Sequence, residues 1–246
     1  MRGLTLQAVS LILLCCSYAG CAATFSYSWQ IKALAKSDQP QQILRARNGT
    51  ILKRINTHQM RYIYAVKTSI AEVSETEATL ILVDGKQANA FAGKMNGNHN
   101  VVGINLAMLD LLGMDMHEMA ALLGHEFAHL RLHHRDSRKK RTFGFALLNI
   151  LGAATLQQLG IPDASSLSNL TFSMIATKYS RDDERQADYL GTIWAVEAGF
   201  EAEGAVRLHE ALYKASRVHP LPFLSDHPSG PERIITLKRL AKRLGG

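Results

Sequence analysis

Two histidines and a glutamate in the stretch His125-Glu126-Phe127-Ala128-His129 are the side chains of this sequence best suited to chemistry. On a helix His125 and His129 lie four residues apart on one face. Their imidazoles can then converge on one metal ion, with the Glu126 carboxylate beside them to face its bound water. This is the H-E-x-x-H zinc pattern. Met119, Ala120, Leu122, Leu123, Phe127 and Leu130 surround it with apolar side chains, which predicts a buried helix whose two histidines need a partner. A coincidental match on a helix surface is the alternative, and a third ligand elsewhere in the chain decides between the two.

A zinc site that does chemistry takes three protein ligands and keeps a fourth position for water. Residues 180–188, which read S-R-D-D-E-R-Q-A-D, can supply the third. On a helix there, Glu184 would reach the metal and Asp188, one turn on, the outer N–H of a zinc-bound histidine. Taken alone, the segment reads more simply as a solvated acidic helix start, with Asp182 and Asp183 favouring the positive dipole end. The metzincin pattern is excluded, because it needs a histidine at position 135 and Arg135 stands there.

The two motifs together resemble the gluzincin peptidases of metallopeptidase family forty-eight, the HtpX, Oma-type and LoiP-like proteases. Two further landmarks agree. Asn89-Ala90-Phe91-Ala92 is similar to the family's N-A-F-A edge segment, and Asp226-His227-Pro228-Ser229 followed by Glu232-Arg233-Ile234 is similar to its closing H-P-S and E-R-I. The four landmarks, in the family's order, cover residues 85–240. One departure is local: residues 93–100 replace the P-G-G turn of many relatives, so the loop facing the substrate differs in shape.

The resemblance implies a site residue by residue. His125, His129 and Glu184 hold one zinc ion per chain, and Glu126 is the general base. Asp188 fixes the tautomer of a zinc-bound histidine, that of His125. His227 stabilises the tetrahedral oxyanion, against the plainer role of a loop histidine beside a proline turn. Asn89, Ala90, Phe91 and Ala92 form the strand along which a substrate is bound. His133 and His134 read as exposed helix-end residues.

Positioning these groups takes a set of elements that the sequence also marks. Thr79-Leu80-Ile81-Leu82-Val83 is a β-type run closed by Asp84-Gly85, and strands at 89–93 and 101–104 flank a Gly/Asn-rich loop. The zinc helix should run over 116–134, with helices at 182–197, 202–216 and 231–244. Pro220, Pro222, Pro228 and Pro231 mark a loop that brings His227 back to the site. Upstream, Asn56 or Thr57 caps a helix in which Ile63, Val66, Ile70 and Val73 recur at helical spacing. Asn48-Gly49 is either a hairpin turn or a break between helices. The expected fold is α+β: one mainly helical zincin domain of the gluzincin type over 21–246, with a small antiparallel or mixed sheet.

The first residues are an export signal over 1–20. Arg2 precedes an apolar run too short to span a bilayer, and Ala19 and Gly20 stand before Cys21. Tyr18-Ala19-Gly20-Cys21 resembles a bacterial lipobox, in which Cys21 is acylated, although Tyr18 stands where that box prefers Leu. Ordinary cleavage after Ala23 is the rival. Cys15, Cys16 and Cys21 are the three cysteines and all fall in this leader, so the body must be held by its core rather than by disulfides. The uncharged stretch 142–162 is a buried helix or a mobile hydrophobic hairpin, or else dips into a bilayer.

The net charge of +7 is concentrated in two clusters, Arg131 to Arg141 and Arg233 to Arg243. Solvated surface and attraction to anionic lipid both account for them. Nucleic acid is disfavoured because interleaved aromatics are scarce. The expected function is that of an exported zinc endopeptidase in protein quality control at the bacterial cell envelope. It would act on unfolded or misassembled polypeptides from the periplasmic side, as an outer-membrane lipoprotein held to the membrane by its N-terminal lipid. The alternative is an envelope chaperone or assembly factor with little proteolysis. Non-catalytic zinc binding is a third reading, which leaves Glu126 without a role.

Overall fold

The computed structural model describes residues 26–95, 99–134, 179–228 and 230–245. The leader with Cys21, the loop residues 96–98, the basic residues 135–141 and the apolar stretch 142–162 lie outside them. No helix among the described residues is long and apolar enough to cross a membrane.

The domain opens with β1 (Ser28–Gln30) and α1 (Ile31–Ala35), followed by a hairpin of β2 (Gln41–Arg45) and β3 (Ile51–Asn56). The hairpin reading of Asn48-Gly49 holds. Gly49 takes φ +84° in the turn, a left-handed conformation that glycine adopts without a Cβ clash. The Asn56 side chain then accepts from the His58 N–H and starts α2 (Thr57–Val73), whose Ile63, Val66 and Ile70 are buried.

The sheet that supports the site comes next. β4 (Thr79–Val83), β5 (Ala90–Met95) and β6 (His99–Asn105) join β1 in the order β1-β4-β6-β5, with β4 and β6 parallel and the other pairs antiparallel. Strand alternation divides it. Leu80, Leu82, Ala90, Ala92, Val102 and Ile104 enter the main core, while Ile81, Val83 and Val101 form a small separate cluster with Phe91. β5 stands at one end of the strand order among the described residues, and the helix that carries His125 and His129 packs against it.

Helices supply the rest of the core. α3 (Leu106–Leu112) begins at Asn105, whose side chain accepts from the Met108 N–H. α4 (Met116–Arg131) is capped by Asp115, which accepts from the N–H groups of His117 and Glu118 and is paired with Arg207. It stops a few residues short of the expected end because His133 turns to φ +53°. α5 (Arg181–Glu197) starts with a reciprocal capping box: Asp183 N–H donates to Ser180 Oγ, and Ser180 N–H to Asp183 Oδ2. The solvated reading of this acidic start fails, since Asp183, Glu184 and Asp188 are buried and only Asp182 points outward. α6 (Glu203–Ser216), the short α7 (Pro222–Asp226) and α8 (Pro231–Leu244) complete the domain. The α+β zincin-like architecture expected from the sequence is thus the observed one.

The contact that matters most for the site is between α4 and α5. A Cβ on Gly124 would lie 2.4 Å from the Gly191 carbonyl oxygen, and one on Gly191 would lie 2.5 Å from the His125 nitrogen. The two helices therefore touch backbone to backbone, at the residue next to the first histidine. Gly191→Ala must push them apart, with a cost of about 1–3 kcal/mol typical of overpacking. The expected result is a lower melting temperature together with weaker zinc binding in competition with a chromophoric chelator. Unchanged affinity would show that this contact does not set the site.

Candidate active site

Four side chains from three segments meet in the interior: His125 and His129 from α4, Glu184 from α5, and His227 from the turn after α7. All four are buried, and one ligand atom of each lies within 4.8 Å of the others. His125 Nε2 is 3.1 Å from His129 Nε2 and 3.1 Å from His227 Nδ1; Glu184 Oε1 is 3.1 Å from His227 Nδ1 and 3.3 Å from His129 Nε2. Two ligand atoms each bound at about 2.0–2.1 Å to a tetrahedral zinc ion sit roughly 3.3 Å apart, so the spacing fits that ion.

The tautomers fit as well. His125 Nδ1 is 3.0 Å from Asp188 Oδ1. Burial depresses the His125 pKa to about 3 even though the bond to Asp188 and the charge of Glu184 act to raise it, so the ring is neutral and its one proton goes to the carboxylate. That leaves the Nε2 lone pair aimed at the cluster. Asp188 itself is held as a carboxylate: burial opposes ionisation, but the charges of His209 and Arg233 and the bond from His125 outweigh it. Glu184 is likewise held well below its ordinary range, where burial is outweighed by His227, His125 and a bond to His129.

Behind His129 stands His134, with Nδ1 to Nδ1 at 3.0 Å. Here the expectation of an exposed helix end is wrong, because the turn at His133 swings His134 inward, where it is buried. Its other nitrogen is 3.9 Å from Asp183 Oδ1. If His129 donates through Nδ1 to this neighbour, its Nε2 lone pair also faces the cluster. His133 is exposed, as expected. Tyr179 stacks on His129 with ring centroids 4.0 Å apart, and Phe223 stacks on His227 at 4.5 Å.

Glu126 is fully buried beside the cluster, with Oε1 3.6 Å from His227 Nε2. Neither of its oxygens receives a hydrogen bond. Burial above all raises its pKa to about 8; His129 lowers it, while Glu184 and Asp226 raise it further. A donorless buried carboxylate next to converging imidazole lone pairs is what a bound cation and its water would satisfy. The donor set of nitrogen and carboxylate oxygen suits zinc.

The strand predicted to bind substrate is placed less simply. Ala90, Phe91 and Ala92 pair with Ile104, Gly103 and Val102 of β6. Asn89 precedes the strand, and its main chain is not unpaired: the N–H donates to Asn105 Oδ1 and the carbonyl accepts from the Asn105 N–H, each at 3.0 Å. Its side-chain oxygen is buried with no hydrogen-bond donor. Among residues the sequence reading missed, Arg233 is foremost. It stands in the basic run of α8, yet it is buried and reaches both Asp188 and Glu184. Its position within the E-R-I landmark was the available signal. His209, 3.4 Å from Asp188, carried none.

A mixed-sheet α+β domain that presents two helical histidines and a glutamate from a second helix has the zincin-like fold and ligand pattern of a gluzincin metallopeptidase. The model of peptidase family M48 matches residues 57–241, and the chain belongs to that family. It is 26% identical over 148 residues to the metalloprotease LoiP of Escherichia coli (strain K12), a match covering 60% of this chain and 56% of the relative. It is 28% identical over 181 residues to the mitochondrial metalloendopeptidase OMA1 of Bos taurus, covering 70% and 34%. With the mitochondrial metalloendopeptidase OMA1 of Arabidopsis thaliana it shares 30% identity over 116 residues, covering 47% and 23%. The chain therefore spans about half or less of the length of these curated relatives.

The buried acids give the metal-free protein a defined pH response. Folded Glu126 keeps its proton up to about pH 8, whereas the unfolded chain loses it near the ordinary 4.5, so this group's stabilisation is lost as pH rises. His125 acts in the opposite sense, adding stability as pH rises from about 3 to its ordinary 6.5. Above pH 6.5 Glu126 acts without that offset. Chelator-treated protein should lose up to about 1.4 kcal/mol per pH unit between 6.5 and 8 in denaturant titrations. Glu126→Gln should flatten that slope, and parallel curves for the two proteins would contradict the assignment.

Proposed function

We propose that this chain is a zinc-dependent endopeptidase that cleaves unfolded or misassembled polypeptides at the bacterial cell envelope. The observation that carries this reading is the fully buried, donorless Glu126 beside the convergent His125, His129 and Glu184. These three would hold zinc, which supplies a Lewis acid and lowers the pKa of water toward neutrality. Glu126, held ionised by the cation beside it, would take the proton of the attacking water and pass it to the leaving amine. Asp188 holds His125 in the tautomer that presents Nε2.

His227 is among the four side chains that could hold the metal, and if it took the position that a catalytic site keeps for water, cleavage would require it to withdraw. Once it has done so, its ring can donate to the oxyanion of the tetrahedral intermediate. The N-terminal leader supports export. Acylation at Cys21 and cleavage after Ala23 differ in whether the mature chain begins at Cys21 or at Thr24, which N-terminal mass spectrometry decides.

A second reading is favoured by the same position of His227. Four protein ligands are the mark of a non-catalytic zinc site, and a closed centre suits a chaperone on a zincin fold that cleaves rarely. One experiment separates the two. In a casein assay the wild-type protein should be active and o-phenanthroline should block it. Glu126→Gln should bind about one zinc ion per chain yet lose about 10²–10⁴ in rate, and His129→Ala should lose metal as well as activity. Glu126→Gln digesting casein at the wild-type rate would remove it as the base. Wild-type and Gln proteins that are both inert, yet both suppress aggregation of an unfolded client, would favour the chaperone.

A further inference from the structure

We propose that Arg233 is a positioning residue for the metal site, whose one guanidinium group sets both the acid behind His125 and the coordinating oxygen of Glu184. The inference rests on the zinc-peptidase reading. Arg233 is buried in the first turn of α8, where its guanidinium hydrogen-bonds Asp188 and the Pro228 carbonyl and forms an ion pair with Glu184. Nε and Nη2 face Asp188 side-on, donating to Oδ2 at 2.7 Å and Oδ1 at 2.6 Å. Nη1 lies 2.8 Å from Glu184 Oε2 and donates to the Pro228 carbonyl at 2.9 Å.

Each contact constrains a different part of the site. The two-point grip fixes the plane of the Asp188 carboxylate, and so the direction from which Oδ1 receives the His125 Nδ1 proton. The contact to Oε2 holds that oxygen toward α8, where it is still 3.5 Å from His125 Nε2, and leaves Oε1 the nearer to the cluster, 3.3 Å from His129 and 3.1 Å from His227. Glu184 is thereby set to bind through one oxygen. The bond to Pro228 ties the segment that carries His227 to the same two acids. A planar fork can meet these acceptors together, whereas the ammonium of lysine is a point charge on a flexible stem. If the guanidinium only balanced charge among buried acids, lysine would serve.

The test compares the mature full-length wild-type protein with Arg233→Lys and Asp188→Asn. It measures zinc affinity by chelator competition and the visible spectrum of the cobalt-substituted proteins. Disturbing the partners behind metal ligands typically costs 10–100-fold in affinity, and that loss is expected for Arg233→Lys. Its cobalt bands should change in position and intensity as Glu184 gains freedom to bind through both oxygens. Asp188→Asn leaves Arg233 intact but breaks the grip, so it should weaken the metal too. The two substitutions combined should cost well short of the product of their separate losses. Arg233→Lys that binds zinc within twofold of wild type with an unchanged cobalt spectrum would overturn the proposal, and so would a lowered melting temperature with no spectral change. Should Arg233→Lys not fold, Asp188→Asn with wild-type affinity and spectrum would overturn it alone. A wild-type protein that takes up no zinc would instead sink the peptidase reading, which the variants do not test.

Discussion

Backbone contact between α4 and α5 at Gly124 and Gly191 is the constraint from which the site follows. Helices that meet through side chains commonly keep their axes 8–10 Å apart. Here neither partner has a Cβ at the crossing, so the ligand-bearing faces approach more closely. His125 follows the first glycine directly. Glu184, Asp188 and Gly191 fall at i, i+4 and i+7, one face of α5. The crossing therefore aims the carboxylate that would bind metal and the one that orients a histidine at the same helix. The third segment, around His227, is carried in by α7 and secured through Arg233 to the two acids of α5.

Charge explains why such a cluster calls for a cation. Glu126, Glu184 and Asp188 are buried around one buried guanidinium, while His125 is held neutral. A divalent ion would offset such a concentration of buried carboxylates. Without that ion Glu126, which receives no hydrogen bond, keeps its proton because burial above all raises its pKa. Glu184 and Asp188 ionise because the histidines and Arg233 face them. The three acids are thus made chemically distinct by their surroundings, which is the division of labour that a ligand, an orienting group and a base require.

Much of this was legible in the sequence because it rests on short-range rules. The run at 79–83, the start of the zinc helix at 116, and the proline-opened last helix are local signals and lie where expected. What escaped depends on contacts distant along the chain or on conformations the residue type does not announce. His133 adopts a left-handed conformation without being glycine, and this both ends α4 and buries His134. Arg233 looked like one more cation on a basic helix; only the packing of α8 against α5 reveals that it faces inward. β1, α1 and α7 span three to five residues each, too few for a hydrophobic period to register. Asn89 was expected to leave its main chain open for a substrate, and the Asn105 side chain and main chain close it.

Placing the ion tests the account most directly. Crystals of the zinc-loaded protein, with diffraction recorded on both sides of the zinc absorption edge, should give one anomalous peak per chain. The peak should lie about 2.0–2.2 Å from His125 Nε2, His129 Nε2 and a single oxygen of Glu184. A peak elsewhere in the molecule, or one at this position that Glu184 does not reach, would contradict the assignment of these three residues as the metal ligands.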